Sequence, residues 1–145
     1  MERSGLVVAV DTREQRPYRF PRWEAKTLAS GDYSVVGLED RVTVERKTKA
    51  DAYVSLGRER ARFERELERM SRMDYAALVI EASLPEFLVA PAFSRLSPRS
   101  AVASLLAWSV KHRVFVFFAG DRRHGRAVTL GLLEKYCRYH REVVA

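Results

Sequence analysis

An α/β domain with a mixed central sheet flanked by helices is the fold class that this 145-residue chain predicts. Two observations carry it. Short apolar runs at Leu6–Val10, Tyr75–Ala82 and Val114–Ala119 have the length and the β-branched or aromatic content of buried strands. Between and after them lie segments whose apolar residues recur at helical spacing, and strands interleaved with helices give this class. The length is that of one domain with a core of its own, so residues 1–145 are read as a single unit.

The elements follow in order. Leu6–Val10 is a strand that ends at Asp11, and residues 12–23, rich in Arg, Pro and aromatics, read as irregular. Glu24–Leu28 is a candidate short strand. Ser30-Gly31-Asp32 has turn chemistry, and Tyr33–Val36 and Arg41–Arg46 alternate on either side of the tight Gly37–Asp40 connection, which predicts a hairpin. From Ala50 to Met73 the period becomes helical, with Phe63, Leu67 and Met70 on one stripe and Arg and Glu elsewhere. That charged face is either a solvated, ion-paired surface or a DNA contact. Tyr75–Ala82 is the next strand, and Pro85 and Pro91 bracket a short helix or loop. Ser97-Pro98 is a helix start, with Ser as N-cap and Pro at the first position, for a helix running to His112. After the Val114–Ala119 strand, Gly120-Asp121 leads into a final helix over 123–141 with Leu130, Leu133 and Cys137 inward.

Cys137 is the only cysteine, which excludes a disulfide within the chain, and His112, His124 and His140 have no zinc-ligand spacing. No targeting or membrane-spanning segment is read, so a cytoplasmic setting is the expectation, nucleoid-associated when on DNA. The net charge of +7 is unevenly placed: residues 83–145 carry 10 Lys and Arg against 4 Asp and Glu, while the rest of the chain is nearly balanced. Arg, whose planar fork suits phosphate, supplies most of the cations. A one-sided basic excess is the footprint expected for nucleic acid. The expected track runs over Arg99, Lys111, Arg113, Arg122, Arg123 and Arg126, with Arg58, Arg62 and Arg65 of the charged helix as the alternative.

The acidic residues that carry chemistry stand at strand ends. Asp11 closes the first strand and Glu14 follows three residues later. Asp32 opens the hairpin and Glu45 lies late in its second strand. Lys47, two residues on, projects from the same face as Glu45 in an extended chain. Convergent carboxylates bind Mg²⁺ or Mn²⁺ through oxygen, and a neighbouring lysine can position water or stabilise charge developing on phosphate.

The wording of these segments is more specific than their chemistry. Val10-Asp11-Thr12-Arg13-Glu14, then Ser30-Gly31-Asp32-Tyr33, then Val44-Glu45-Arg46-Lys47-Thr48-Lys49-Ala50-Asp51 resembles the XPF/MUS-type (ERCC-type) nuclease family, whose pattern is V-D-x-R-E followed by G-D-(x)n-E-R-K-x-x-x-D. The resemblance covers residues 6–142, with the specific motifs confined to 10–51. It implies a restriction-endonuclease-like core and a metal-dependent DNA endonuclease that cuts near flaps, forks or other junctions. By the same resemblance Asp32 and Glu45 are the principal ligands of Mg²⁺ or Mn²⁺, helped by a backbone carbonyl near Val44. Asp11 belongs to the metal set directly or through water, and Glu14 is an acid of the same pocket. Lys47 is the catalytic lysine, and Arg13 and Arg46 are phosphate binders or scaffold ions. Asp51 supports the pocket, or is simply an acid favoured in a first helical turn. Larger members append tandem helix-hairpin-helix domains, and no Gly-x-Gly hairpin signature is read here. The family also implies a homodimer, expected through the last two helices with Leu132 and Tyr136 at its centre. The competing reading is a non-catalytic DNA-binding or scaffolding subunit, against which stands the retention of every acid and the lysine of the pattern.

Overall fold

A computed structural model describes residues 5–140. Six strands form one sheet: β1 (Val8–Asp11), β2 (Trp23–Lys26), β3 (Tyr33–Val35), β4 (Val42–Lys47), β5 (Tyr75–Ile80) and β6 (Phe115–Phe118). Their spatial order is β2-β1-β3-β4-β5-β6. β3 runs antiparallel to β1 and β4, while β1–β2, β4–β5 and β5–β6 are parallel, so the sheet is mixed.

Alternation along the strands sorts side chains into two cores. On one face Leu78 and Ile80 of β5 pack with Tyr53 and Leu56 of α1 (Lys49–Leu56), Phe63 and Leu67 of α2 (Arg60–Met70), Phe87 of α3 (Leu84–Phe87) and Leu105 and Trp108 of α4 (Pro98–His112). On the other, Ala77 and Val79 of β5 join Val42 and Val44 of β4, Tyr33, and Leu133 and Tyr136 of α5 (Arg122–Tyr139). Being covered on both faces, β5 is a continuous apolar run rather than an alternating one.

Three local outcomes differ from the expectations. The helix expected over 50–73 is two helices, because Gly57 caps α1, its N–H donating to the Tyr53 carbonyl at 3.0 Å, and the chain turns before Arg60. The short second strand lies at Trp23–Lys26, shifted towards the N-terminus of the expected span, and is an exposed edge. Tyr136, expected at a dimer centre, is a core residue: it is 5% exposed and its hydroxyl donates to Asp74 at 2.7 Å. Leu132 packs partly buried against the same core, and Cys137 is half-buried beside it. The capping expectations hold, with Ser97 accepting from the Ser100 N–H and Pro98 in the first turn of α4. Among the described residues no helix is long and apolar enough to cross a membrane.

Candidate active site

The site forms at the carboxyl end of β1 and β4, where the β3–β4 hairpin folds Asp32 onto Glu45 and Arg46. Asp32 is clipped in place by its backbone and its side chain. Its N–H donates to the Val44 carbonyl at 2.9 Å, its carbonyl accepts from the Asp11 N–H at 2.9 Å, and its Oδ2 accepts from the Arg46 N–H at 2.8 Å. The carbonyl of Val44, expected to assist a metal, is thus already an acceptor within the sheet. The preceding Gly31 has a physical reason to be glycine. Its φ is +75°, and a Cβ there would collide with Oγ1 of Thr43, which itself donates to the Ser30 carbonyl at 2.9 Å.

Along β4 the period of two separates the motif. Val42, Val44 and Arg46 point to the α5 side, while Glu45 and Lys47 point to the α1/α2 side. The Lys47 ammonium lies 3.4 Å from Oε2 of Glu45 and 5.0 Å from the ring centre of Phe63 on α2. Burial opposes its charge, but Glu45, Glu66 and Asp32 outweigh burial and hold Lys47 charged. Burial, assisted by Glu14 and Glu66, pushes the Asp32 carboxyl up to about 7. Glu45 is pushed well above the usual range by burial and then by Asp32 and Glu66. Oε1 of Glu45 is buried without a hydrogen-bond partner among the described residues.

Arg46 stands on the opposite face in a closed network. It donates to Oε2 of Glu81 at 2.7 Å and to Oε2 of Glu14 at 3.3 Å, and its guanidinium lies 5.3 Å from the Tyr18 ring. Tyr18 donates to Glu81 at 2.6 Å and Tyr33 to Glu14 at 3.2 Å. The Arg46 side chain is 8% exposed and three of its five N–H donors serve Glu81 and Glu14, which is the arrangement of a scaffold ion. Glu14 belongs to this network as well.

Asp11 is also engaged. Its carboxylate accepts from the backbone and side chain of Arg13, at 3.0 Å from Nε and from one terminal nitrogen, and from the Leu28 N–H at 2.9 Å. Burial raises this carboxyl, but those bonds prevail and hold it below the usual range. Arg13 itself is 68% exposed. Asp51 is exposed in the first turn of α1, where its N–H donates to the N-cap Thr48, so the structure places it as an acid of the helix start.

The basic track is thinner than expected. Arg122 donates to the Pro17 carbonyl at 2.9 Å and stacks on Tyr18, and Arg126 donates to the Arg19 carbonyl and lies over Phe20. Both therefore staple α5 to the irregular 12–22 segment. Gly125 between them leaves room for the Tyr18 hydroxyl, which a Cβ would strike. Lys111 is paired with Glu64 at 2.8 Å. Arg99, Arg113 and Arg123 remain exposed, as do Arg58 in the turn before α2 and Arg62, Arg65 and Arg69 on α2.

One acid escaped the motif: Glu66, on α2, acts on Asp32, Glu45, Lys47 and Arg13 alike. A signal for it exists in the sequence, since it lies three residues after Phe63 and four before Met70, beside the apolar stripe. Among the described residues no three acidic, histidine or cysteine side chains converge tightly enough to enclose a metal by themselves. The donor set nevertheless fits a hard divalent ion. Two close carboxylates, one with an orphaned buried oxygen, offer oxygen ligands, and Mg²⁺ ordinarily keeps several waters.

A mixed sheet with helices on both faces and acids gathered at the ends of its strands is an α/β domain whose chemistry lies at the carboxyl ends of β1 and β4. The ERCC4 domain model matches residues 10–127, and the chain belongs to the ERCC4 domain family. Among solved structures it is similar to XPF from Aeropyrum pernix, with 24% identity and a TM-score of 0.71 over 94% of this chain and 67% of that one. It is also similar to XPF from Aeropyrum pernix in complex with DNA, with 24% identity and a TM-score of 0.70 over 92% of this chain and 66% of that one. The chain thus spans about two thirds of the length of those XPF chains. No curated protein sequence matches it.

Proposed function

We propose that this ERCC4 domain is a divalent-metal-dependent DNA endonuclease, hydrolysing phosphodiester bonds at branched DNA such as flaps and forks. The observation that carries the reading is the meeting of Asp32, Glu45 and Lys47 where β3 begins and β4 ends, with an unpartnered carboxylate oxygen among them. Asp32 and Glu45 would hold Mg²⁺ or Mn²⁺, with Asp11 joining through water or once Arg13 swings to a phosphate. When bound, such an ion polarises the phosphate and lowers the pKa of the attacking water. Lys47, kept charged by its acidic neighbours, orients that water or neutralises the developing oxyanion. The Arg46–Glu81–Tyr18 network fixes the strand on which both act. Duplex backbone would run along the exposed Arg62, Arg65 and Arg69 of α2, with Arg13, Arg99 and Arg123 as further phosphate binders.

Cleavage of end-labelled flap, fork, gap, duplex and single-stranded DNAs with and without Mg²⁺ or Mn²⁺ tests the reading. Binding without cutting under all of these conditions would favour a scaffolding subunit instead. A homodimer remains part of the proposal, but through α4 and the open edge of β6. There Leu106, Val110 and Phe115 are 63%, 80% and 56% exposed beside unpaired strand backbone that a second copy could cover. Light scattering that gives the mass of a single chain, with and without DNA, would remove it.

A further inference from the structure

The two-helix arrangement of residues 49–70 has a consequence for the site. Because Gly57 ends α1 and the chain turns, α2 packs on the same sheet face from which Glu45 and Lys47 project. Phe63 of α2 lies under the Lys47 ammonium at 5.0 Å, and Glu66 is the next residue on that side of the helix, half-buried, between the buried Phe63 and Met70. Its carboxyl acts on that of Glu45 both by charge and through a side-chain hydrogen bond, and both raise Glu45.

Two carboxylates in that relation are both acceptors, so they need a shared proton or a cation between them. The nearest cation, Lys47, already serves Glu45 at 3.4 Å, and Arg13 is committed to Asp11 at 3.0 Å. If Asp32, Glu45 and Glu66 were all ionised they would face one ammonium with an excess of two negative charges, and in the absence of a cation the raised carboxyls of Asp32 and Glu45 answer that crowding by holding protons. Folding alone does not require a carboxylate here, since a glutamine at 66 would fill the same space without repulsion. The unpartnered, buried Oε1 belongs to Glu45, the acid nearest Glu66, so the excess charge and the missing partner fall at one place. One divalent cation satisfies both.

We propose that Glu66 is a third carboxylate of the metal centre, contributed by α2 and acting on the ion through one of its waters. This rests on the divalent-metal reading above and adds a residue outside the D-x-R-E, G-D and E-R-K segments. A helix-borne ligand also ties α2 to the ion, so that the arginines flanking Glu66, Arg62, Arg65 and Arg69, are held in register with the scissile phosphate.

Binding of Mn²⁺ alone, without DNA, followed by electron paramagnetic resonance, tests this apart from activity. Wild type binds; Glu66→Gln binds on the order of 10–100-fold more weakly, the size expected when a group supporting a metal is removed. Glu68→Gln, which deletes the same charge from an exposed position of the same helix, leaves affinity unchanged. The Glu66→Gln loss persists in a Lys47→Met background, which separates action on the ion from action through the lysine. Circular dichroism confirms the helical content of each variant, and Glu66→Ala reproduces the result should the amide itself ligate. If wild type binds Mn²⁺ and Glu66→Gln matches it, the proposal fails and the metal reading stands. If the loss disappears in Lys47→Met, Glu66 merely positions the lysine and the ligand role is wrong. If wild type binds no Mn²⁺, both fall together.

Discussion

Lys47 stands with its ammonium 3.4 Å from Glu45 and 5.0 Å from the centre of the Phe63 ring, with acids beside it and an apolar wall beneath. Geometry of this kind holds a charged group at a fixed place with little freedom to follow a ligand, which suits action on a transition state more than capture of substrate. Lys47→Ala should therefore lower turnover by on the order of 10²-fold or more, with substrate affinity nearly unchanged. Single-turnover cleavage and equilibrium DNA binding, measured on one substrate, distinguish the two quantities. Collapsed affinity with preserved turnover would make Lys47 a phosphate anchor.

The buried acids make the metal-free protein sensitive to pH in a stated direction. The Asp32 carboxyl is pushed up to about 7 by burial and neighbouring acids, and Glu45 moves the same way. A folded-state pKa above the unfolded value means that the stabilisation is complete at low pH and is lost as pH rises through the folded pKa. In the presence of a chelator the thermal midpoint should fall between about pH 4 and about pH 7, and Asp32→Asn should flatten that fall. Asp11 has the opposite sign, since its lowered pKa withdraws stability only at more acid pH, below this window. A midpoint that rises over the range, or an unchanged slope in Asp32→Asn, would contradict the crowding of these carboxylates.

The DNA track follows from which arginines are committed within the fold. Arg62→Ala with Arg65→Ala should weaken DNA binding and reduce the salt slope by roughly 1 for each phosphate that is no longer neutralised. Fluorescence anisotropy across a salt series measures this. Arg122→Ala should instead lower thermal stability, because it strips a donor from the Pro17 carbonyl and a cation from the Tyr18 ring. A slope that responds to Arg123 and not to the α2 pair would return the track to the C-terminal third.

Much of the sheet is legible in the sequence because its signals are local. The Leu6–Val10 and Tyr75–Ala82 runs, the alternation across Gly37–Asp40 and the Ser97-Pro98 start each specify an element from a few neighbouring residues. The side of β4 on which Glu45 and Lys47 meet follows from the period of two. What sequence could not supply are relations between distant segments. Arg122 and Arg126 read as free cations until the 17–19 carbonyls arrive beneath them. Arg46 shares a motif with Lys47 but faces a different core, closed by Tyr18 and Glu81 from elsewhere in the chain. Glu66 looks like one more charge in an Arg/Glu helix, and only the turn at Gly57 brings it over the site. Tyr136 has the composition of an interface residue, but Asp74 and Tyr75 enclose it.

Asp32 and Glu45, as the holders of the ion that drives DNA cutting, are the centre of the proposed mechanism. Its most direct measurement is cleavage of one end-labelled forked DNA by wild type, Asp32→Asn and Glu45→Gln in Mg²⁺, in Mn²⁺ and in a chelator, with binding of the same DNA followed in parallel. Wild type should cut only with a divalent ion, and both variants should bind the fork without cutting it. Cutting by wild type in the chelator, or near-wild-type cutting by Asp32→Asn in Mg²⁺, would contradict that mechanism.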